Sequence, residues 1–463
     1  MDKPVIGLLP FYLALYDDFS SEYRPAVEQF YQRIACELAK RGLDVRTAGI
    51  CRLETEFCQA IAHFESVKAD LLVTLHLAYS PSLEAIGPLV KTDLPLVILD
   101  TTPDYAFGQD QDPDKQIMAN HGIHGVQDLC TMLLRHGRSF QLEAGPWEKS
   151  DVLDRVTAWG YAARTARIMR ASRVGLIGKP FRSMGDFYLP AEELKRRIGI
   201  ETVAASPAEL AAIPVAKQEI IDELACDRLT FPNSPVDPAI HRQTVRAGLA
   251  IRKWLEKNNL SAFTFNFLDI DSQSGLPAVP FLEASKTLSR GLGYAGEGDV
   301  LTSALVAALA SQFAETTFVE MFCPDWEHGN VFISHMGEMN LNLTVKETLR
   351  LEKTGFPYTD IGQPAVAYGR YRAGAATLVN LAPGPDGRFQ LMTVPVQMLD
   401  PDRPDLFVHT VRGWFKPPCE LSSFLAAYSQ RGGTHHSALV YGDQEKEIVA
   451  FGQLMGWETV SLH

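Results

Sequence analysis

The feature that most constrains this chain is a repeated alternation in its first hundred residues. Short apolar runs, KPVIGLLPF, ADLLVTLHL and LPLVILDTT, are separated by amphipathic stretches such as YRPAVEQFYQRIACELAKRG. Strand-length apolar runs interleaved with helical stretches predict a parallel α/β arrangement. Residues 23–42 show helical spacing and close on Lys40, Arg41 and Gly42, a C-terminal stop signal.

The same texture returns near Arg173, where SRVGLIGKP reads as a strand entering a glycine turn, and continues through LSAFTFNFLDID at 260–271. From about residue 317 it changes. GNVFISHM, TLVNLA, RFQLMTVPVQML and DLFVHTVRGWF are strand-like and separated by Gly, Pro and Asp, which predicts an antiparallel sheet or barrel. No internal repeat or low-complexity tract interrupts the pattern.

At 463 residues the chain is long enough for two or three domains, each with its own core. A net charge of −13 and a pI near 5.4, without a Lys/Arg cluster, argue against nucleic acid or an anionic membrane as partner and leave a small neutral substrate. Seven scattered cysteines without a C-x-x-C suggest neither a disulfide framework nor a zinc knuckle, and fit a reducing cytoplasm. The start, MDKPVIGLL, lacks a basic region ahead of an apolar run, and the longest apolar stretch, LTSALVAALA at 301–310, is too short to span a bilayer. A soluble protein is expected.

GLGYAG at 291–296 matches the dinucleotide fingerprint G-x-G-x-x-G literally, but that motif needs a strand before it. Here EASKTLSR precedes it with helical character, and Glu297 and Asp299 would set carboxylates against a pyrophosphate. GLIGKP lacks the P-loop spacing, and there is no G-x-S-x-G. No nucleotide cofactor is expected, and a dehydrogenase is disfavoured.

Metal-type ligands remain. Glu297 lies in GYAGEGD, where flanking glycines leave its carboxylate unshielded, although alone it reads as a loop carboxylate. Glu320 lies in the apolar ETTFVEMF, where a carboxylate needs a cation or hydrogen bonds. His335, in FISHMGEMN with Glu338 three residues on, reads by itself as a satisfied core histidine. GGTHHS supplies His435 and His436. Adjacent residues of an extended segment face opposite ways, so at most one of the pair serves a given site.

Two carboxylates and two imidazoles without thiolate suit Mn²⁺, with Co²⁺, Fe²⁺ and Ni²⁺ as alternatives, in an open octahedral geometry rather than a closed zinc site. An ion holding adjacent hydroxyl and carbonyl oxygens beside a carboxylate acidifies the C–H between them, which is the chemistry of aldose–ketose isomerisation.

These segments, in this order, resemble the L-arabinose isomerase family and, more distantly, L-fucose isomerase. GYAGEGD resembles that family's Gly-x-Glu-Gly-Asp motif, which implies that Glu297 is both metal ligand and acid/base. FVEMF resembles its second acidic motif, giving Glu320 as the partner carboxylate. HMGE is similar to its His-Met-x-Glu, giving His335 as ligand and Glu338 as the group behind it. GGTHH is similar to Gly-Gly-x-His-His, whose second histidine binds the metal, giving His436 as ligand and His435 as a brace of the turn. NHGIHG at 120–125 resembles a segment that lines the sugar site from a neighbouring subunit, implying His121 and His124. LAYSPS implies Tyr79, the SMGDF turn Met184, and FTFNF Phe267, each equally readable as core packing.

The resemblance implies two flavodoxin-like, doubly wound α/β domains at 1–170 and 171–315, then a β-rich, barrel-like C-terminal domain at 316–463. It also implies assembly as a homo-trimer or homo-hexamer with the site at a subunit interface. Val300 and Leu301 stand where the family carries Trp-Lys, and Met-Phe-Cys-Pro follows Glu320 in place of a Tyr-rich run, with the interval to His335 two residues shorter. The metal site therefore looks retained and the sugar pocket altered, which points away from L-arabinose itself. The expectation is an Mn²⁺-dependent isomerase of a small free sugar working through a cis-enediol, with Glu297 and Glu320 moving the proton. A metal-dependent epimerase or lyase of a sugar derivative, and a non-catalytic sugar-binding protein, stand as alternatives.

Overall fold

The computed structural model describes residues 3–108, 112–232, 234–400 and 404–463. The chain forms two compact units, Met1–Arg167 and Ile168–His463.

In the first unit five strands, β1 (Val5–Phe11), β2 (Asp44–Thr47), β3 (Leu71–His76), β4 (Leu96–Asp100) and β5 (Gln141–Ala144), pair in parallel in the order β2-β1-β3-β4-β5. This is the flavodoxin-like order, in which the chain reverses direction across the sheet between β1 and β3. The helix expected over 23–42 runs from Arg24 to Lys40 and buries Val27, Phe30, Ile34 and Leu38, the stripe that a period of 3.6 sets on one side. Pro25 sits in its first turn, where a missing N–H costs nothing.

The second unit holds two sheets. Strands β6 (Arg173–Ile177), β7 (Glu201–Ala205), β8 (Ala262–Phe265) and β9 (Gly293–Tyr294) are parallel in the order β7-β6-β8-β9. The other sheet contains β10 (Thr316–Asp325), β11 (Asn330–Ser334), β12 (Arg350–Lys353), β13 (Ala365–Arg370), β14 (Gly374–Pro383), β15 (Phe389–Met398), β16 (Val411–Lys416), β17 (His436–Tyr441) and β18 (Glu458–Ser461). Six of these, β16-β11-β10-β17-β14-β15, follow one another antiparallel, and β15 pairs back to β16 through Gln397 and Met398 against Lys416 and Phe415. The ring closes into a barrel, with β12, β13 and β18 attached outside it.

The apolar stretch at 301–310 belongs to the helix Val300–Ala310, every residue of which is buried. An all-apolar helix of this length is a core element. It packs against β8 and β9 of the parallel sheet and against β10 and β17 of the barrel. Among the described residues, no helix is long and apolar enough to cross a membrane.

Candidate metal centre

The helix Val300–Ala310 and the barrel meet where the sequence-predicted ligands lie. Glu297 is the middle residue of the tight segment 295–299 that joins β9 to the helix, and it has φ = 64°. A left-handed backbone costs a residue with a Cβ about 1–2 kcal/mol, so the surrounding contacts must hold it there. They do so on both sides. A Cβ at Gly296 would come within 2.6 Å of His335 Cε1, and one at Gly298, itself at φ = +82°, within 2.6 Å of Pro180 Cα. Gly298 N–H donates to Thr264 Oγ1 at 2.9 Å, and Phe181 N–H donates to the Glu297 carbonyl at 3.1 Å. The glycines of GYAGEGD thus let the backbone on either side of Glu297 lie directly against His335 and Pro180.

Strand register supplies the other ligands. Glu320 on β10 is the cross-strand partner of both His436 on β17 and Ser334 on β11, so it shares a face of the barrel wall with them. His335 follows Ser334 directly. Its Nδ1 donates to Glu338 Oε2 at 2.7 Å, an oxygen that also accepts from Gly337 N–H at 2.9 Å, while Tyr294 OH donates to Glu338 Oε1 at 2.6 Å. His436 Nδ1 donates to Asp299 Oδ2 at 3.0 Å. In each ring the Nδ1 contact fixes orientation and leaves Nε2 facing inward.

Three polar atoms are consequently buried without a hydrogen-bond partner: Glu297 Oε2, His335 Nε2 and His436 Nε2. Orphaned buried groups cost about 1–3 kcal/mol each, and each of the three belongs to a group of donors spaced as around a cation. Glu297 Oε2 lies 3.6 Å from His436 Nε2, and Glu320 Oε2 lies 3.7 Å from His335 Nε2. Two donors about 2.1 Å from a shared ion lie about 3–4 Å apart, so the spacing fits a divalent cation. Two trios with donor atoms within 4.8 Å overlap at His436: Glu297, His435, His436 and Glu320, His335, His436. Oxygen and imidazole donors without thiolate match a borderline divalent ion with open positions.

Electrostatics follow from this crowding. Burial raises the Glu297 carboxyl, but the imidazoles of His435 and His436 outweigh it and hold it down to about 2. Burial raises Glu320. Burial lowers His335, yet the Glu338 carboxylate more than reverses this and lifts it to about 9.

One expectation is corrected. His435 and His436 do not face opposite ways, because His435 stands in the bend before β17 and only His436 is in the strand. Their ring centroids are 4.2 Å apart, and both Nε2 atoms lie 3.6 Å from Glu297 Oε2. The residue that pins His435 is Asp186, which accepts from its Nδ1 at 2.6 Å and from its backbone N–H at 3.0 Å. Neighbouring Phe187 stacks on His436 with centroids 5.0 Å apart and an interplanar angle of 14°, and Phe318 meets His335 and His436 edge-on.

Of the residues expected at the sugar, Met184 is half-buried in the turn before Asp186. Phe267 is buried in an aromatic cluster with Phe181, Phe356 and Tyr358. His121, His124 and Tyr79 gather in the first unit: the His121 and His124 rings are 5.3 Å apart, Tyr79 is 4.7 Å from His124, and Tyr16 OH meets His121 Nε2 at 2.9 Å. Sequence reading missed Asp186, Asp299, Tyr294, Phe187 and Phe318. All five lie inside strings already singled out, Asp186 and Phe187 in SMGDF, Tyr294 and Asp299 in GYAGEGD and Phe318 in FVEMF, but nothing in those strings shows which distant histidine or carboxylate each one meets.

Comparison with known proteins adds the following. Residues 233–314 match the L-arabinose isomerase central domain, and residues 315–458 match the L-arabinose isomerase C-terminal domain. The L-arabinose isomerase of Geobacillus thermodenitrificans is 26% identical over 413 residues, covering 85% of this chain and 81% of its own length. That of Salmonella arizonae is 24% identical over 438 residues, covering 91% and 85%. A periplasmic solute-binding protein from Actinobacillus succinogenes solved with bound D-allose covers 67% of this chain and 92% of its own at 15% identity, with a TM-score of 0.17, too low to support any argument.

Proposed function

Because residues 233–458 belong to the L-arabinose isomerase family, we propose that this protein is a metal-dependent aldose–ketose isomerase that acts on a small free sugar through a cis-enediol. The observation that carries this reading is the convergence of Glu297 Oε2, His335 Nε2 and His436 Nε2 as buried atoms without partners, with Glu320 facing them. Glu297, Glu320, His335 and His436 hold the ion, with Mn²⁺ as the first choice and Co²⁺, Fe²⁺ or Ni²⁺ as alternatives. A divalent cation bound by these residues supplies Lewis-acid polarisation of adjacent hydroxyl and carbonyl oxygens of the sugar.

The chain's own groups do the rest. Glu297 and Glu320 are the two carboxylates, and one accepts the proton from C2 of the aldose. The C–H electron pair becomes the C1=C2 bond of the enediol while O1 gains a proton. Return of a proton to C1, with loss of the O2 proton, gives the ketose, so atoms and electrons balance. Glu338 and Asp299 keep His335 and His436 in the orientation that presents Nε2. Phe187 and Phe318 cover the histidines and exclude water from them. His121, His124, Tyr79, Met184 and Phe267 belong to the sugar pocket in this reading, which places the protein in the cytoplasm as a homo-trimer or homo-hexamer with the site at a subunit interface. The domains divide at about 170 and 315. Val300, Leu301 and the segment after Glu320 support a sugar other than L-arabinose.

The test is ketose formation from a panel of aldoses in D₂O, with Mn²⁺ and with a chelator. Chelator-sensitive ketose that carries solvent deuterium is the expected result. An epimer without ketose, or a change in carbon count, would replace the isomerase with an epimerase or a lyase. Sugar binding without any proton exchange would make it a binding protein.

A further inference from the structure

The arginines of the first unit are almost all engaged. Arg24 and Arg52 pair with Asp17, Arg41 with Asp154, Arg155 with Glu143 and Arg167 with Asp70, while Arg138 reaches the carbonyls of Leu89 and Leu94. Arg33 is different. Among the described residues its guanidinium meets no acceptor, and it lies over the Trp147 ring, 5.9 Å from the centroid. In a chain of net charge −13, an arginine left without a carboxylate stands out.

Arg33 lines a cavity of about 300 Å³ with Phe30, Pro103, Lys115, Gln116 and Trp147. Helical spacing builds two of its walls. Ala26, Phe30 and Arg33 follow one another on one side of the helix Arg24–Lys40, and Lys115 and Ala119 do so on the helix Pro113–Asn120. Pro103 follows β4 and Trp147 follows β5, so the cavity lies beyond the carboxyl ends of these strands, where open α/β sheets take their ligands. What its polar groups offer is one-sided. Lys115 forms no ion pair among the described residues, and Trp147 Nε1 is buried without a partner. Asp104, also at the cavity, already accepts from Asn120 Nδ2 at 2.8 Å, and both ends of the Gln116 amide are taken, by Gly108 N–H and by the Ala106 carbonyl. Two cations and one indole N–H remain, with Gln29 as a neutral neighbour.

We propose that this cavity binds the phosphate group of a small phosphate monoester, with Arg33 and Lys115 meeting its oxygens and Phe30 and Trp147 flanking its carbon skeleton. A monoester carries roughly −1.5 to −2 charges at neutral pH, which two cations match, and the guanidinium fork suits its oxygens. The volume is at the lower end of ligand pockets, which run from about 300 to 1,000 Å³, so the ester is small. None of these residues belongs to the metal centre, and the inference stands apart from the isomerase reading.

The test titrates the full-length protein at fixed ionic strength with glycerol 3-phosphate, inorganic phosphate and glycerol, followed by calorimetry and tryptophan fluorescence. Glycerol 3-phosphate is expected to bind and to change the fluorescence, and glycerol not to bind. Inorganic phosphate, which lacks the carbon skeleton, should bind about 10-fold more weakly. Arg33→Ala and Lys115→Ala alter exposed side chains and should keep the fold while each weakens the ester at least about 10-fold. Trp147→Phe should abolish the fluorescence change with circular dichroism as in wild type. Absence of binding by either phosphate, or ester binding that survives both alanine changes together, overturns the proposal. So does a fluorescence change that persists in Trp147→Phe. Equal affinity for ester and inorganic phosphate overturns the ester and leaves an adventitious ion only.

Discussion

Asp299 joins two jobs in one carboxylate. Oδ2 accepts from His436 Nδ1 at 3.0 Å, while Oδ1 accepts from Thr302 N–H at 2.9 Å and so caps the helix Val300–Ala310. The orientation of His436, a proposed ligand, is thereby tied to the start of a helix whose every residue is buried.

Asp299→Ala should therefore lose on both counts. Removal of the cap is expected to lower stability by about 1 kcal/mol, and release of His436 to weaken Mn²⁺ binding roughly 10- to 100-fold. Denaturant melts and calorimetric Mn²⁺ titration read these separately. A stability loss with unchanged affinity would show that His436 does not need its partner.

Glu297→Gln and Glu320→Gln should each leave the fold intact and remove turnover, with kcat lower by at least about 100-fold. Circular dichroism together with ketose assays checks this. Full activity in both variants would sink the proposed proton transfer.

Gly296→Ala brings a Cβ to within 2.6 Å of His335 Cε1 and 2.9 Å of Nε2. The imidazole must move, because its other side is held by Glu338. We expect Mn²⁺ affinity to fall at least about 10-fold, while Gly185→Ala, where no atom lies within 4 Å of the new Cβ, leaves it unchanged.

Away from the centre, Glu223 accepts from Arg252 at 2.8 and 2.9 Å and from Lys286 at 2.6 Å, and Lys286 also pairs with Asp227. Burial raises the Glu223 carboxyl, but Arg252 and Lys286 outweigh it and lower it from 4.5 to about 2. A carboxyl with a depressed folded-state value contributes stability that is complete above the unfolded value and lost as pH falls through the folded one. Acid melts of wild type should thus show stability declining between pH 4.5 and about 2, and Glu223→Gln should flatten that part of the decline. An unchanged acid profile would remove the pair from the account.

The layered architecture was readable because its signal is local. KPVIGLLPF, ADLLVTLHL and LPLVILDTT became β1, β3 and β4, and the strand-like pieces after residue 317 became parts of the barrel. Glu297, Glu320, His335 and His436 could be singled out because each sits in a short string whose composition is unusual for its surroundings. What could not be read depends on distance along the chain. Asp186 lies 249 residues from His435, and no periodicity in either segment links them. The direction of the His435 ring was misjudged because alternation of side chains holds only inside a strand, and β17 begins one residue later.

The closure of β15 onto β16 also bears on how the folded chain behaves at high concentration. Six strands of the barrel spend their hydrogen-bonding groups on each other, and the free rims of the sheet fall to β12 and β18, each four residues long. β12 reads RLEK and β18 reads ETVS, so the rims are brief and carry charge. Such rims are poor templates for a foreign strand. The folded protein should resist amyloid-like growth from this sheet, and any association through the barrel has to be made by side-chain surfaces, where specificity can be encoded.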